Sequence, residues 1–115
     1  MTPAAAYAAC QALARSHYEN FPVASWLLPR HARRHVTAIY AFARIADDFA
    51  DEPSRPAPQR PVLLDAWQRR LDDAVAGRVV TTGEYQQDAV FVALAQTMRA
   101  LDGGRQSAAM HTLLS

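Results

Sequence analysis

The stretch from Pro29 to Glu52 constrains this chain more than any other. Pro is tolerated in the first turn of a helix, where its missing N–H has no partner to lose. Pro53 cannot continue one, so the spacing predicts a helix from about Pro29 to Glu52. Each residue advances about 100° around a helix axis. Ile39, Phe42, Ala46 and Phe49 therefore fall on one face, with Val36, Ala43 and Ala50 beside them. Tyr40, Arg44, Asp47 and Asp51 form a second stripe, while Asp48 and Glu52 lie further round with Ala41 and Ile45. A helix apolar over so much of its circumference is one that other helices surround. The expected fold is all-α.

The rest of the chain agrees. Residues 4–15 are Ala-rich and favour helix. Pro22 pushes Phe21 out of helical geometry, and a short segment at 23–28 leads to Pro29. A Pro-rich connector spans 53–61 and reads as a stiff surface link. A helix fits 62–76, with Val62, Leu63, Trp67, Leu71 and Val75 at helical spacing and Gly77 as its stop. Another fits 84–101, capped by Thr81 or Thr82 and ended by Gly103 and Gly104. The tail from Arg105 opens a further helix, for about four to five in all. The one β-branched run, residues 79–82, is too short to suggest a sheet.

Composition narrows the function. The chain has 115 residues, enough for one small domain. Its net charge of +1 gives no reason to expect nucleic acid. All 12 basic residues are Arg, which points to genomic bias rather than chemistry. Cys10 is alone, so there is neither a disulfide framework nor a CxxC metal pair. No segment reaches the roughly 20 apolar residues that cross a bilayer, and the start lacks the basic leader of a secretion signal. The expectation is a cytoplasmic protein, with peripheral contact at the inner membrane as a candidate second location.

Asp47, Asp48, Asp51 and Glu52 crowd the end of the predicted helix. A helix C-terminus carries partial negative charge and disfavours carboxylates. Asp47 and Asp51 also share a face, with Cβ atoms about 5–6 Å apart, and like charges at that spacing repel. A divalent cation relieves both penalties. Mg²⁺ is typically held by one or two carboxylates, water and substrate phosphate oxygens. Arg44 on the same stripe can take a phosphate oxygen through a charge-assisted fork, and Tyr40 offers a hydroxyl or an aromatic face. The competing reading is a solvated acidic helix end in which Arg44 pairs with Asp47 or Asp48. His31 and His35 have a spacing that zinc tolerates, but Arg30, Arg33 and Arg34 around them favour a solvated or headgroup-facing basic patch.

Taken together, "HYENFPVASWLLP" and "AIYAFARIADDFADE" resemble the squalene/phytoene synthase family, head-to-head prenyl synthases of the all-α isoprenoid synthase fold. The second string is similar to the family's first aspartate-rich motif, in which an Arg precedes DDxxDE. The "ENFPVAS" wording resembles the bacterial hopanoid branch, which acts on presqualene diphosphate and yields hydroxysqualene or squalene. A phytoene synthase is the runner-up, and a non-catalytic helical interaction module is the reading from another class. The resemblance implies Mg²⁺ on Asp47 and Asp51, with Asp48 beside them, and Asp47, Asp51 and Tyr40 as catalytic residues. It implies diphosphate contacts from Arg44, His17, Tyr18 and Asn20, and Phe21 as cavity wall. Tyr18 and Asn20 stand where hydroxyl-bearing Ser is usual, yet both hydrogen-bond. A prenyl diphosphate is the implied substrate, and other enzymes of hopanoid synthesis are candidate partners. The family's second aspartate-rich motif is missing, so residues 1–115 are expected to be the N-terminal part of such a bundle, inactive or nearly so alone.

Overall fold

The computed structural model describes residues 1–17, 26–51 and 58–114, with side chains as far as Leu101. Four helices form: α1 (Pro3–His17), α2 (Arg30–Asp51), α3 (Gln59–Val75) and α4 (Tyr85–Leu114). No strand occurs among the described residues, so the chain is all-α. The longest helix, α4, packs on each of the other three, most extensively on α1. α2 also packs on both α1 and α3.

Small residues dominate the part of the core nearest α1. Ala6, Ala14, Ala38, Ala41, Ala89 and Ala93 are buried with Cys10 and Leu13, and short side chains at a crossing let helix axes approach. Burial pushes the Cys10 thiol up to about 12, so it stays protonated and unreactive. Toward α3 the core is aromatic. Phe42 stacks on Trp67 at 5.5 Å, Phe91 meets Trp67 edge-on at 4.6 Å, and Phe49 does so at 5.4 Å. The Trp67 indole N–H donates to the Phe42 carbonyl at 3.2 Å, which satisfies its one donor.

Several expectations need correction. Ile39 and Val36 do not join Phe42, Ala46 and Phe49 in the core; they are 50% and 40% exposed. The buried side of α2 is Thr37, Ala38, Ala41 and Ile45. A helix apolar nearly all round has no sharp phase, and here the small face went inward. On α3, Trp67 is buried as expected but Val62 and Val75 are exposed. That helix starts at Gln59, inside the Pro-rich stretch. Pro61 sits in its first turn, where an N–H is unpaired anyway.

The ends of α3 and α4 show why one glycine stops a helix and two others do not. Gly77 takes φ 87°. Its N–H reaches the Ala74 carbonyl at 3.0 Å, and the Arg78 N–H reaches that of Asp73 at 2.7 Å. These two bonds are a Schellman cap. Gly103 and Gly104, expected to end α4, lie inside it. Glycine lowers helix propensity by about 1 kcal/mol relative to Ala without forbidding helix. Thr82 does not cap α4 either. The Glu84 carboxylate accepts the Gln87 N–H at 2.7 Å. The Asp88 carboxylate accepts the backbone N–H groups of Thr82 at 2.9 Å and Gly83 at 3.0 Å.

Candidate functional site

The acid-bearing end of α2 is held from below. Phe42 stacks on Trp67 from α3 and Phe49 meets the same ring edge-on, with Ala46 against the same core. These contacts fix the rotation of the last turns of α2. Tyr40 and Arg44 are half-buried, and Asp47 and Asp51 are exposed. No basic residue lies in the last turn of α2 to offset the helix end.

Arg44 Nη2 pairs with Asp48 Oδ1 at 3.1 Å, one turn along the helix and with both side chains partly in water. Such a pair contributes a few tenths of a kcal/mol. It leaves the Arg44 Nε–H shielded from solvent and without an acceptor. No ion pair among the described residues engages Asp47 or Asp51. The stripe thus holds two uncommitted carboxylates and one unsatisfied guanidinium donor. Carboxylate oxygens are hard ligands that suit Mg²⁺, and a shielded Nε–H suits a phosphate oxygen. No group of three or more His, Cys, Asp or Glu is placed to hold a metal among the described residues. Two carboxylates leave the remaining Mg²⁺ positions to water and phosphate, its usual arrangement.

His17 ends α1 and is exposed. Tyr18, Asn20 and Phe21 lie outside the described residues, as does Glu52. The face of α2 that leads from Val36 to Asp47 carries apolar residues. Val36, Ile39 and Ala43 are exposed there, so the face carrying Asp47 is apolar along its length.

Two polar clusters escaped the sequence reading. In the first, His35 is not solvated but half-buried. Its Nδ1 lies 2.9 Å from Thr97 Oγ1, and Thr97 Oγ1 lies 2.9 Å from Tyr7 Oη. Burial lowers the His35 pKa, helped by the nearby charges of Arg34 and His31. A neutral ring lets Nδ1 accept from Thr97 while Tyr7 donates to Thr97. In the second cluster, Arg70 Nη2 pairs with Asp88 at 2.9 Å, both largely out of water, and lies over the Phe91 ring at 4.3 Å. Burial pushes the Asp88 pKa up, but hydrogen bonds from Thr82, Gly83 and Arg70 outweigh it and hold the carboxyl below its ordinary value. Both clusters tie together helices that are far apart in sequence. No single-helix pattern could have revealed them.

The helical bundle and its acid-bearing helix end define a class that the comparisons specify. The family model for squalene/phytoene synthase matches residues 14–114. A 15-cis-phytoene synthase of Synechocystis is 33% identical over 93 residues, covering 81% of this chain and 25% of that protein. A hydroxysqualene synthase of Rhodopseudomonas palustris is 39% identical over 84 residues, covering 72% of this chain and 26% of that protein. A hydroxysqualene synthase of Sinorhizobium fredii is 43% identical over 54 residues, covering 46% of this chain and 18% of that protein. No solved structure matches. The chain belongs to the squalene/phytoene synthase family. It spans about a quarter of the length of the first two of these relatives.

Proposed function

We propose that this chain supplies one wall of a Mg²⁺-dependent site for prenyl diphosphate chemistry, with diphosphate release as the step it assists. The observation that carries this reading is the combination on α2: Asp47 and Asp51 carboxylates that form no ion pair among the described residues, and an Arg44 Nε–H without an acceptor among them. Mg²⁺, when bound, would neutralise charge on the leaving diphosphate. Asp47 and Asp51 would hold that ion, and Arg44 would donate to a diphosphate oxygen as charge builds there. His17, Tyr18 and Asn20 would contribute further diphosphate contacts, and Tyr40 and Phe21 would face the departing carbon. The exposed apolar residues Val36, Ile39 and Ala43 support a prenyl rather than a sugar or nucleotide diphosphate.

Within that chemistry we favour the hopanoid branch, with presqualene diphosphate as substrate and hydroxysqualene or squalene as product. The motif "ENFPVAS" supports it. The relatives bear both phytoene and hydroxysqualene synthase names, so product analysis of a synthase carrying this segment is the deciding test between branches. A non-catalytic interaction module remains the alternative of another class.

Calorimetric titration with a prenyl thiodiphosphate, with and without Mg²⁺, tests the main reading. Binding should require Mg²⁺, weaken at least tenfold in Asp47→Asn and in Asp51→Asn, and weaken when inorganic diphosphate replaces the prenyl compound. Binding that ignores both Mg²⁺ and the two substitutions would favour the interaction module. The isolated chain should give little or no turnover of presqualene diphosphate.

A further inference from the structure

Arg44 has two acidic neighbours within reach on its own helix, Asp47 three residues on and Asp48 four residues on. Both spacings allow an ion pair. At about 100° per residue, Asp48 lies roughly 40° to one side of Arg44 and Asp47 roughly 60° to the other, with Asp51 roughly 20° round on the Asp47 side. The choice of partner therefore decides on which flank the guanidinium rests.

Arg44 Nη2 meets Asp48 Oδ1 at 3.1 Å, and no ion pair among the described residues engages Asp47. The acids differ accordingly. Asp48 is half-buried, while Asp47 and Asp51 are exposed. A guanidinium is planar, so fixing Nη2 also restricts where its Nε–H points. That Nε–H is shielded from water and has no acceptor among the described residues. Arg60 and Arg70 carry Nε–H groups in the same state, but they belong to α3 and lie off the acid stripe.

We propose that Asp48 is a positioning residue whose bond to Arg44 draws the guanidinium away from Asp47. Groups of opposite charge are thereby kept apart on one stripe. Asp47 stays open to a divalent cation, and the Arg44 Nε–H stays open to a phosphate oxygen. Without that tether the next acid within reach of Arg44 is Asp47, and their pairing would occupy both groups at once. Asp48 itself touches neither metal nor diphosphate. The assignment rests on the diphosphate reading of α2 and adds a role for a carboxylate that the reading leaves unused.

Calorimetric titration of the chain with a prenyl thiodiphosphate and Mg²⁺ tests it, using two variants of equal charge. Asp48→Asn keeps an oxygen that accepts from Arg44 Nη2, and Asp48→Ala keeps none. Asp48→Asn should bind roughly three- to tenfold more tightly than Asp48→Ala, the range expected when one long side chain must be ordered anew. In an Arg44→Gln background the two should bind alike, because Asp48 then has no guanidinium to hold. The Arg44 Nε–H signal in NMR spectra of the ligand-free chain is a second readout. It should move in Asp48→Ala far more than in Asp48→Asn or Asp47→Asn, while circular dichroism stays unchanged throughout. Equal binding by Asp48→Asn and Asp48→Ala, a difference between them that survives Arg44→Gln, or an Nε–H signal that follows Asp47→Asn instead would each overturn the positioning role alone. Asp47→Asn binding as tightly as the parent, or a parent with no Mg²⁺-dependent binding, would overturn the diphosphate reading and this assignment with it.

Discussion

Asp47 and Asp51 hold charge where the helix would prefer none. Each sits in the last turns of α2 with no basic residue there. Asparagine in place of either removes a like-charge pair at one-turn spacing and a charge opposed to the helix dipole, together about 0.5 kcal/mol. Without Mg²⁺, Asp47→Asn should therefore be as stable as the parent or slightly more so in urea denaturation. That gain should come with lost Mg²⁺-dependent diphosphate binding, the signature of a residue retained for ligand rather than fold. His35 gives a second prediction at this scale. Its pKa is lowered in the folded chain, so its contribution to stability is complete above the unfolded value near 6.5 and is lost as pH falls through the folded value. Charging the ring turns Nδ1 from acceptor to donor and leaves the Thr97 hydroxyl hydrogen without its acceptor. Stability followed from pH 7 downward should fall through this window in the parent. In Thr97→Val, destabilised by about 1–3 kcal/mol because two polar groups lose their partner, the fall should change size. An unchanged pH dependence would mean that Thr97 does not set the His35 pKa.

At the scale of elements, helix positions were largely readable and helix phases were not. Pro29 and Pro53 bracketed α2, whose described span is Arg30–Asp51, and Gly77 marked the end of α3 through its positive φ. These are local effects of one residue on its own backbone. The rotation of α2 is a tertiary choice: with Val36, Ile39, Ala41 and Ile45 spread around the helix, its neighbours decided which side to cover. The stripe Tyr40–Arg44–Asp47–Asp51 was legible because helical spacing alone aligns it. The Tyr7–Thr97–His35 cluster was not, since Tyr7 and Thr97 are 90 residues apart. Gly103 and Gly104 misled for a different reason, as glycine weakens a helix without stopping it unless the chain also turns. Gly104→Ala should accordingly raise helicity by circular dichroism and add about 1 kcal/mol to local helix stability. Gly77→Ala should destabilise by a similar amount, because its φ is unfavourable for a side chain although nothing crowds the Cβ position. If Gly104→Ala lowered helicity, α4 would break at that point after all.

Over the whole molecule, the aromatic cluster and the exposed acid stripe meet on one helix, α2. Trp67 from α3 and Phe91 from α4 grip α2 at Phe42, and the opposite side of α2 is left open with apolar residues leading to two carboxylates. Among the described residues the packing falls on one face of α2, and the proposed function assigns the other face to a ligand. Manganese titration in the presence of inorganic diphosphate, followed through amide signals of the chain, tests that claim most directly. Mn²⁺ replaces Mg²⁺ at oxygen sites and broadens signals from nearby nuclei. The account predicts broadening centred on residues 47–51, lost in Asp47→Asn together with Asp51→Asn. Broadening spread equally over the exposed acids Asp65 and Asp72, and unaltered by those substitutions, would contradict it.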